Sequence, residues 1–108
     1  MSIGGFPRRS NSYTDTGINA NALTAGTIMP THDATYVSMD VKADTGAHAN
    51  HIVTLQMSFN GTDWFDTANT ITGVGRKTNI LCIAPYVQAK VTTVEGGAST
   101  IDVTITIR

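Results

Sequence analysis

A chain of 108 residues with 41% hydrophobic residues is sized for one domain, and it can bury roughly two thirds of its unfolded surface in a single core. The formal net charge is -1 and only 14% of residues are charged, against the ~25% usual for globular domains, so binding to nucleic acid or membrane through bulk charge is not expected. No apolar run approaches the ~20 residues of a membrane helix, and no signal-peptide pattern opens the chain. The polar surface must then be built largely from Thr, Asn, Ser and Gly. Such a surface has little charge to oppose packing against copies of itself or a partner. The single cysteine, Cys82, excludes an intramolecular disulfide. Its neighbours Ile80, Leu81 and Ile83 predict a small buried hydrophobe rather than an activated thiol.

Residues 1–12 have no periodicity, with Gly4, Gly5 and Pro7 interrupting regular structure. Two readings are open: a frayed terminus, or an arm that orders on a neighbouring subunit. In the second, Ile3 and Phe6 are the apolar anchors, and Arg8 and Arg9 pair with acidic groups. These four are the candidate partner-binding residues. Residues 13–18 read as a short edge strand, 19–23 as one helical turn, 25–30 as a second strand and 31–34 as a turn.

From Tyr36 the pattern sharpens. Val37, Met39, Val41 and Ala43 alternate with Tyr36, Ser38, Asp40 and Lys42, the period of a half-buried strand. Residues 44–50 form a loop. Val53, Leu55, Met57 and Phe59 then alternate with Thr54, Gln56 and Ser58. Asn60-Gly61 follows, which predicts a type I′ hairpin turn because both residues accept positive φ cheaply. A two-residue turn there pairs Met57 with Trp64. It places Trp64 in the core but also turns Asp66 inward, a conflict that a longer loop or a bulge removes. Whether Trp64 is core or surface stays open at this point. Residues 76–83 form another strand, in which Ile80 and Leu81 are adjacent apolar residues. Residues 86–93 and 100–108 alternate cleanly and are expected to make a hairpin across the loop 95–99. The expected fold is all-β: an antiparallel two-sheet sandwich of seven or eight strands over residues 13–108, preceded by a flexible arm.

Catalytic patterns are absent. His48 and His51, near Asp44 and Asn50, could supply zinc ligands, but structural zinc wants four well-placed groups, and a polar loop is the favoured reading. His32-Asp33 resembles the base and orienter of a triad without a serine in a nucleophile elbow. No enzyme activity is expected, and no residue is assigned a catalytic, cofactor or metal role. Exposed Trp64, Tyr36 and Tyr86 on one face would suit a carbohydrate-binding module.

The segments Val53–Asp66, Ile71–Gly75, Ala84–Thr93 and Gly97–Ile105 carry a recurring order. A strand leads to Asn-Gly and Trp, then to Pro-Tyr-Val and an expected Thr-rich final hairpin. This order resembles small phage virion β-sandwich proteins, including capsid decoration (cement) and tail-associated proteins. The resemblance covers about half the chain. It implies a structural virion protein on the capsid surface, made in the host cytoplasm. The implied partners are the major capsid protein and copies of itself, with no nucleic acid and no membrane. A place in the tail or baseplate is the alternative.

Overall fold

The computed structural model describes residues 11–108. The candidate anchors Ile3, Phe6, Arg8 and Arg9 lie outside the described residues. Eight strands follow in order: β1 (Asn11–Asn19), β2 (Met29–Pro30), β3 (Tyr36–Gly46), β4 (Ile52–Ser58), β5 (Phe65–Thr72), β6 (Gly75–Leu81), β7 (Tyr86–Thr93) and β8 (Ser99–Ile107). They form two four-stranded antiparallel sheets, ordered β1-β8-β3-β6 and β2-β7-β4-β5. The expected all-β two-sheet sandwich is therefore the architecture. β1 takes in Asn11 and Ser12, two residues of the stretch 1–12 that lacks periodicity.

The alternating residues build the core as their period requires. Ile101, Val103, Ile105 and Ile107 of β8 face Val37, Met39 and Val41 of β3 within the first sheet. From the second sheet, Val53, Leu55 and Met57 of β4 and Val87, Ala89 and Val91 of β7 close over them. Each large aliphatic side chain so buried contributes about 1.5–3 kcal/mol. β4 and β7 are central strands, and even their outward residues Thr54, Gln56 and Gln88 are buried. Gln88 Nε2 donates to Gln56 Oε1 at 2.8 Å, and Gln56 Nε2 donates to Asp66 Oδ1 at 2.7 Å. That ladder satisfies side chains that would otherwise cost free energy to bury.

Four expectations are corrected. First, β7 and β8 do not form a hairpin: β7 lies in the second sheet and β8 in the first, between β1 and β3. Alternation specifies a buried face but not which sheet supplies it. Second, β4 ends at Ser58, and Met57 pairs with Phe65 rather than Trp64. The Asn60 side chain closes a longer loop instead of a two-residue turn, its Oδ1 accepting from Thr62 N and Asp63 N, both at 2.8 Å. Phe59 is therefore exposed, and Asp66 turns outward to Gln56. Third, the second strand shrinks to Met29–Pro30 with an isolated bridge from Ala25 to Lys90. Fourth, Cys82 is half-buried, between exposed Leu81 and Ile83, with its thiol 3.3 Å from the Ala84 carbonyl.

Candidate functional site at the open end of the sandwich

The two ends of the sandwich are built differently. One end gathers the connections 47–51, 73–74 and 94–98 around Glu95. This carboxylate is almost fully buried and accepts from the Asn50 and His51 backbone amides at 3.0 and 3.1 Å and from Asn50 Nδ2 at 3.2 Å. His51 Nδ1 lies 3.0 Å from it, and His51 Nε2 lies 2.7 Å from the Gly73 carbonyl oxygen. The hydrogen bond from Asn50, reinforced by those from His51, holds the Glu95 carboxyl at about 2, against the opposing effect of burial. A neutral imidazole has one ring proton and satisfies one of these two acceptors, whereas an imidazolium satisfies both. His48 stacks edge-on against His51, with ring centroids 5.5 Å apart.

The histidines noted as possible zinc ligands thus have other work. Both ring nitrogens of His51 are engaged inside the protein, and His51 is fully buried. Glu95, its partner, falls in the loop 95–99, where the sequence pattern marks no site. The one signal that could have marked it is an acidic residue set directly before two glycines.

The opposite end carries the connections 31–35, 59–64 and 82–85 and the point where β1 begins. Thr31-His32-Asp33-Ala34 is the expected turn, closed by Ala34 N donating to the Thr31 carbonyl at 2.9 Å. His32 and Asp33 have φ of 47° and 61°, a type I′ geometry held without glycine. Buried Thr31 anchors the turn, its hydroxyl donating to the Ala84 carbonyl and its amide to the Pro85 carbonyl, both at 2.9 Å. Between this turn and the segment 82–86 lies a cleft of about 610 Å³. A second groove of about 310 Å³ runs between β1 and β2 and shares Pro30 and His32 with the cleft.

Exposed apolar side chains concentrate here. Nine large hydrophobic residues are exposed among the described residues. Six of them, Tyr13, Ile28, Tyr36, Phe59, Leu81 and Ile83, lie at this end or on its flank. Phe59 stacks on Phe65 with centroids 5.6 Å apart and is still 66% exposed. Leu81 and Ile83 are 62% and 57% exposed. Adjacent Ile80 and Leu81 were the sequence signal, because neighbours on a strand cannot both face one core. Ile80 is buried and Leu81 is not.

The aromatic residues considered for sugar binding are all near this end but are carried by different sheets and a loop. Tyr36 lies in β3 of the first sheet and Tyr86 in β7 of the second, each beside a core-facing valine and so pointing outward from its own sheet. Trp64 is half-buried in the loop before β5. The outer face of the first sheet is instead a hydroxyl array. Ser12 meets Thr106 and Thr14 meets Thr104, each at 2.8 Å, with Arg76 Nε donating to Asp40 Oδ1 at 3.4 Å nearby.

No protein-family model matches the chain. No curated protein matches it either. Among solved structures it is similar to the SPBc2 prophage-derived protein YomS, with a TM-score of 0.53 at 11% identity, over 97% of this chain and 100% of that one. The likeness is one of fold, and it spans both sheets.

Proposed function

We propose that this protein is a structural component of a phage particle, most simply a capsid decoration protein. Its open end would seat on the major capsid protein and on neighbouring copies of itself. The observation that carries this reading is the gathering of Tyr36, Phe59, Leu81 and Ile83 at one end of a weakly charged sandwich. Apolar patches that a monomer leaves exposed mark interaction surfaces, and burying them across a capsomer boundary would supply the driving force. The likeness of fold to a prophage-derived protein is in keeping with a phage origin. The resemblance of the strand-and-turn order to virion β-sandwiches points the same way.

Many weak sites repeated over a shell hold it by avidity, so no single contact needs to be strong. An interface of standard size buries ~800 Å² per partner. The test adds purified protein to capsids that lack it and counts bound copies. Leu81→Ser with Ile83→Ser is expected to reduce occupancy at least tenfold while the melting temperature of the free protein stays unchanged. Full occupancy by that double variant would overturn the reading, as would binding to tails and not to heads.

A further inference from the structure

We propose that the buried His51 ring is held as an imidazolium between Glu95 and Gly73, and that loss of its proton on raising the pH unlatches the Glu95 end of the sandwich. The proposal concerns the end opposite the apolar surface and is independent of any partner.

The protonation follows from the acceptors. Glu95 Oε1 faces Asn50 N at 3.0 Å, His51 N at 3.1 Å and His51 Nδ1 at 3.0 Å, and Oε2 accepts from Asn50 Nδ2 at 3.2 Å. Donors gathered on both oxygens are the setting of a carboxylate, not of an acid that must itself donate. A lone pair on His51 Nδ1 would face that charged oxygen, so Nδ1 carries a proton. Nε2 lies 2.7 Å from the Gly73 carbonyl oxygen, at the short end of the N–H···O range. A carbonyl has no proton to give, so Nε2 carries one too. A ring protonated at both nitrogens is charged. Burial opposes that charge, and His51 is fully buried. The alternative costs more: a neutral ring leaves the buried carboxylate without its countercharge and the Gly73 carbonyl facing a lone pair.

The acceptors are fixed in place. Gly73, at φ +70°, is fitted so closely that a Cβ there would strike the His48 carbonyl oxygen, and its amide donates to the His51 carbonyl at 3.0 Å. Among the described residues, hydrogen bonds and ring contacts bring two titratable groups to the His51 ring: Glu95 from the connection 94–98, and His48, edge-on at 5.5 Å, from its own connection. Gly73 and Val74 bring none. His48 is placed differently. Its Nδ1 lies 3.3 Å from Ser99 Oγ, whose own proton goes to the Ala47 carbonyl at 2.7 Å. His48 Nδ1 then donates to the hydroxyl oxygen, which a neutral ring can do. Of these two rings, only His51 stands between two acceptors, and it ties 47–51 to both 73–74 and 94–98. Deprotonation leaves one of those acceptors without a donor. The sign follows from linkage: a partnered imidazolium contributes stability while it holds its proton and loses that contribution as the pH rises.

Nitrogen NMR of the histidine rings in the full chain tests this without a variant. At neutral pH both ring nitrogens of His51 are expected to carry slowly exchanging protons and to resonate close together. One unprotonated nitrogen on His51 at neutral pH would overturn the proposal. The pH is then raised while hydrogen exchange is followed along the chain. As His51 loses its proton, protection at 47–51 and 94–98 is expected to fall about 5-fold or more relative to 31–35, the effect of one buried acceptor left without its donor. The reference segment removes the intrinsic effect of base. An unchanged ratio, or proton loss only on global unfolding, would overturn the latch. In Glu95→Gln, His51 is expected to carry a single ring proton at neutral pH, with the His48 signals unmoved. A doubly protonated His51 in that variant would overturn the role given to Glu95.

Discussion

The two ends of this sandwich make opposite use of the same kinds of residue. Around Glu95, loops bury polar side chains and satisfy them, so that 47–51 and 94–98 are tied together by four hydrogen bonds to one carboxylate. Around the turn 31–34, loops leave apolar side chains outside and hold two non-glycine residues at positive φ. The first end spends its chemistry on stability. The second has large apolar surface that a monomer gains nothing by exposing. That difference, rather than any cluster of reactive groups, is what supports the proposal of the open end as an interaction surface.

Glycines at the two ends give the sharpest contrast. Gly46, at φ +80°, has no room for a Cβ, which would strike the Ala98 carbonyl oxygen. Gly46→Ala is expected to combine that clash with about 1–3 kcal/mol of backbone strain and to give the largest loss of stability by urea denaturation. Gly61, at φ +78° by the open end, would place its Cβ 3.6 Å from the Tyr86 ring, an ordinary contact. Gly61→Ala should therefore cost only the conformational term, ~1–2 kcal/mol. Equal losses would mean that the two ends are equally tightly built.

His51→Ala comes next. It leaves the Gly73 carbonyl buried without its donor, and an unsatisfied buried group costs about 1–3 kcal/mol. Hydrogen exchange should then rise first at 47–51 and 94–98. Uniform loss of protection would argue against a local clamp.

Acid weakens the same end in a defined window. Glu95 has its carboxyl lowered from 4.5 to about 2 in the folded protein, so it contributes stability that is fully present above about 4.5 and lost as the pH falls through about 2. Melting temperature should fall across that interval, and Glu95→Gln should flatten the fall while lowering stability at neutral pH. An unchanged acid profile in that variant would remove Glu95 as its source.

The smallest effect on stability belongs to the open end. Leu81→Ser and Ile83→Ser should each change it by less than ~0.5 kcal/mol, because both side chains are already more than half exposed. Solubility should rise and self-association should fall in sedimentation velocity. A substantial loss of stability would show that these side chains serve the fold and not a partner.

Much of the fold was legible because a strand's period is local. Residues 36–43, 52–58, 86–93 and 100–107 each declare a buried face through side chains two apart. The exposed end was legible only in part, through the conflict of adjacent Ile80 and Leu81 and the turn at 31–34. Tertiary structure decided the rest. It placed β7 and β8 in different sheets, because alternation constrains a face and not a partner. It set Trp64 half-buried, because the Asn60 side chain displaced the expected turn geometry. It joined His51 to Glu95 across 44 positions of sequence, a separation at which no spacing rule operates. The sequence by itself determined that there would be a sandwich and which faces would fill it. Only long-range packing decided which end would be sealed with polar groups and which would be left apolar and open.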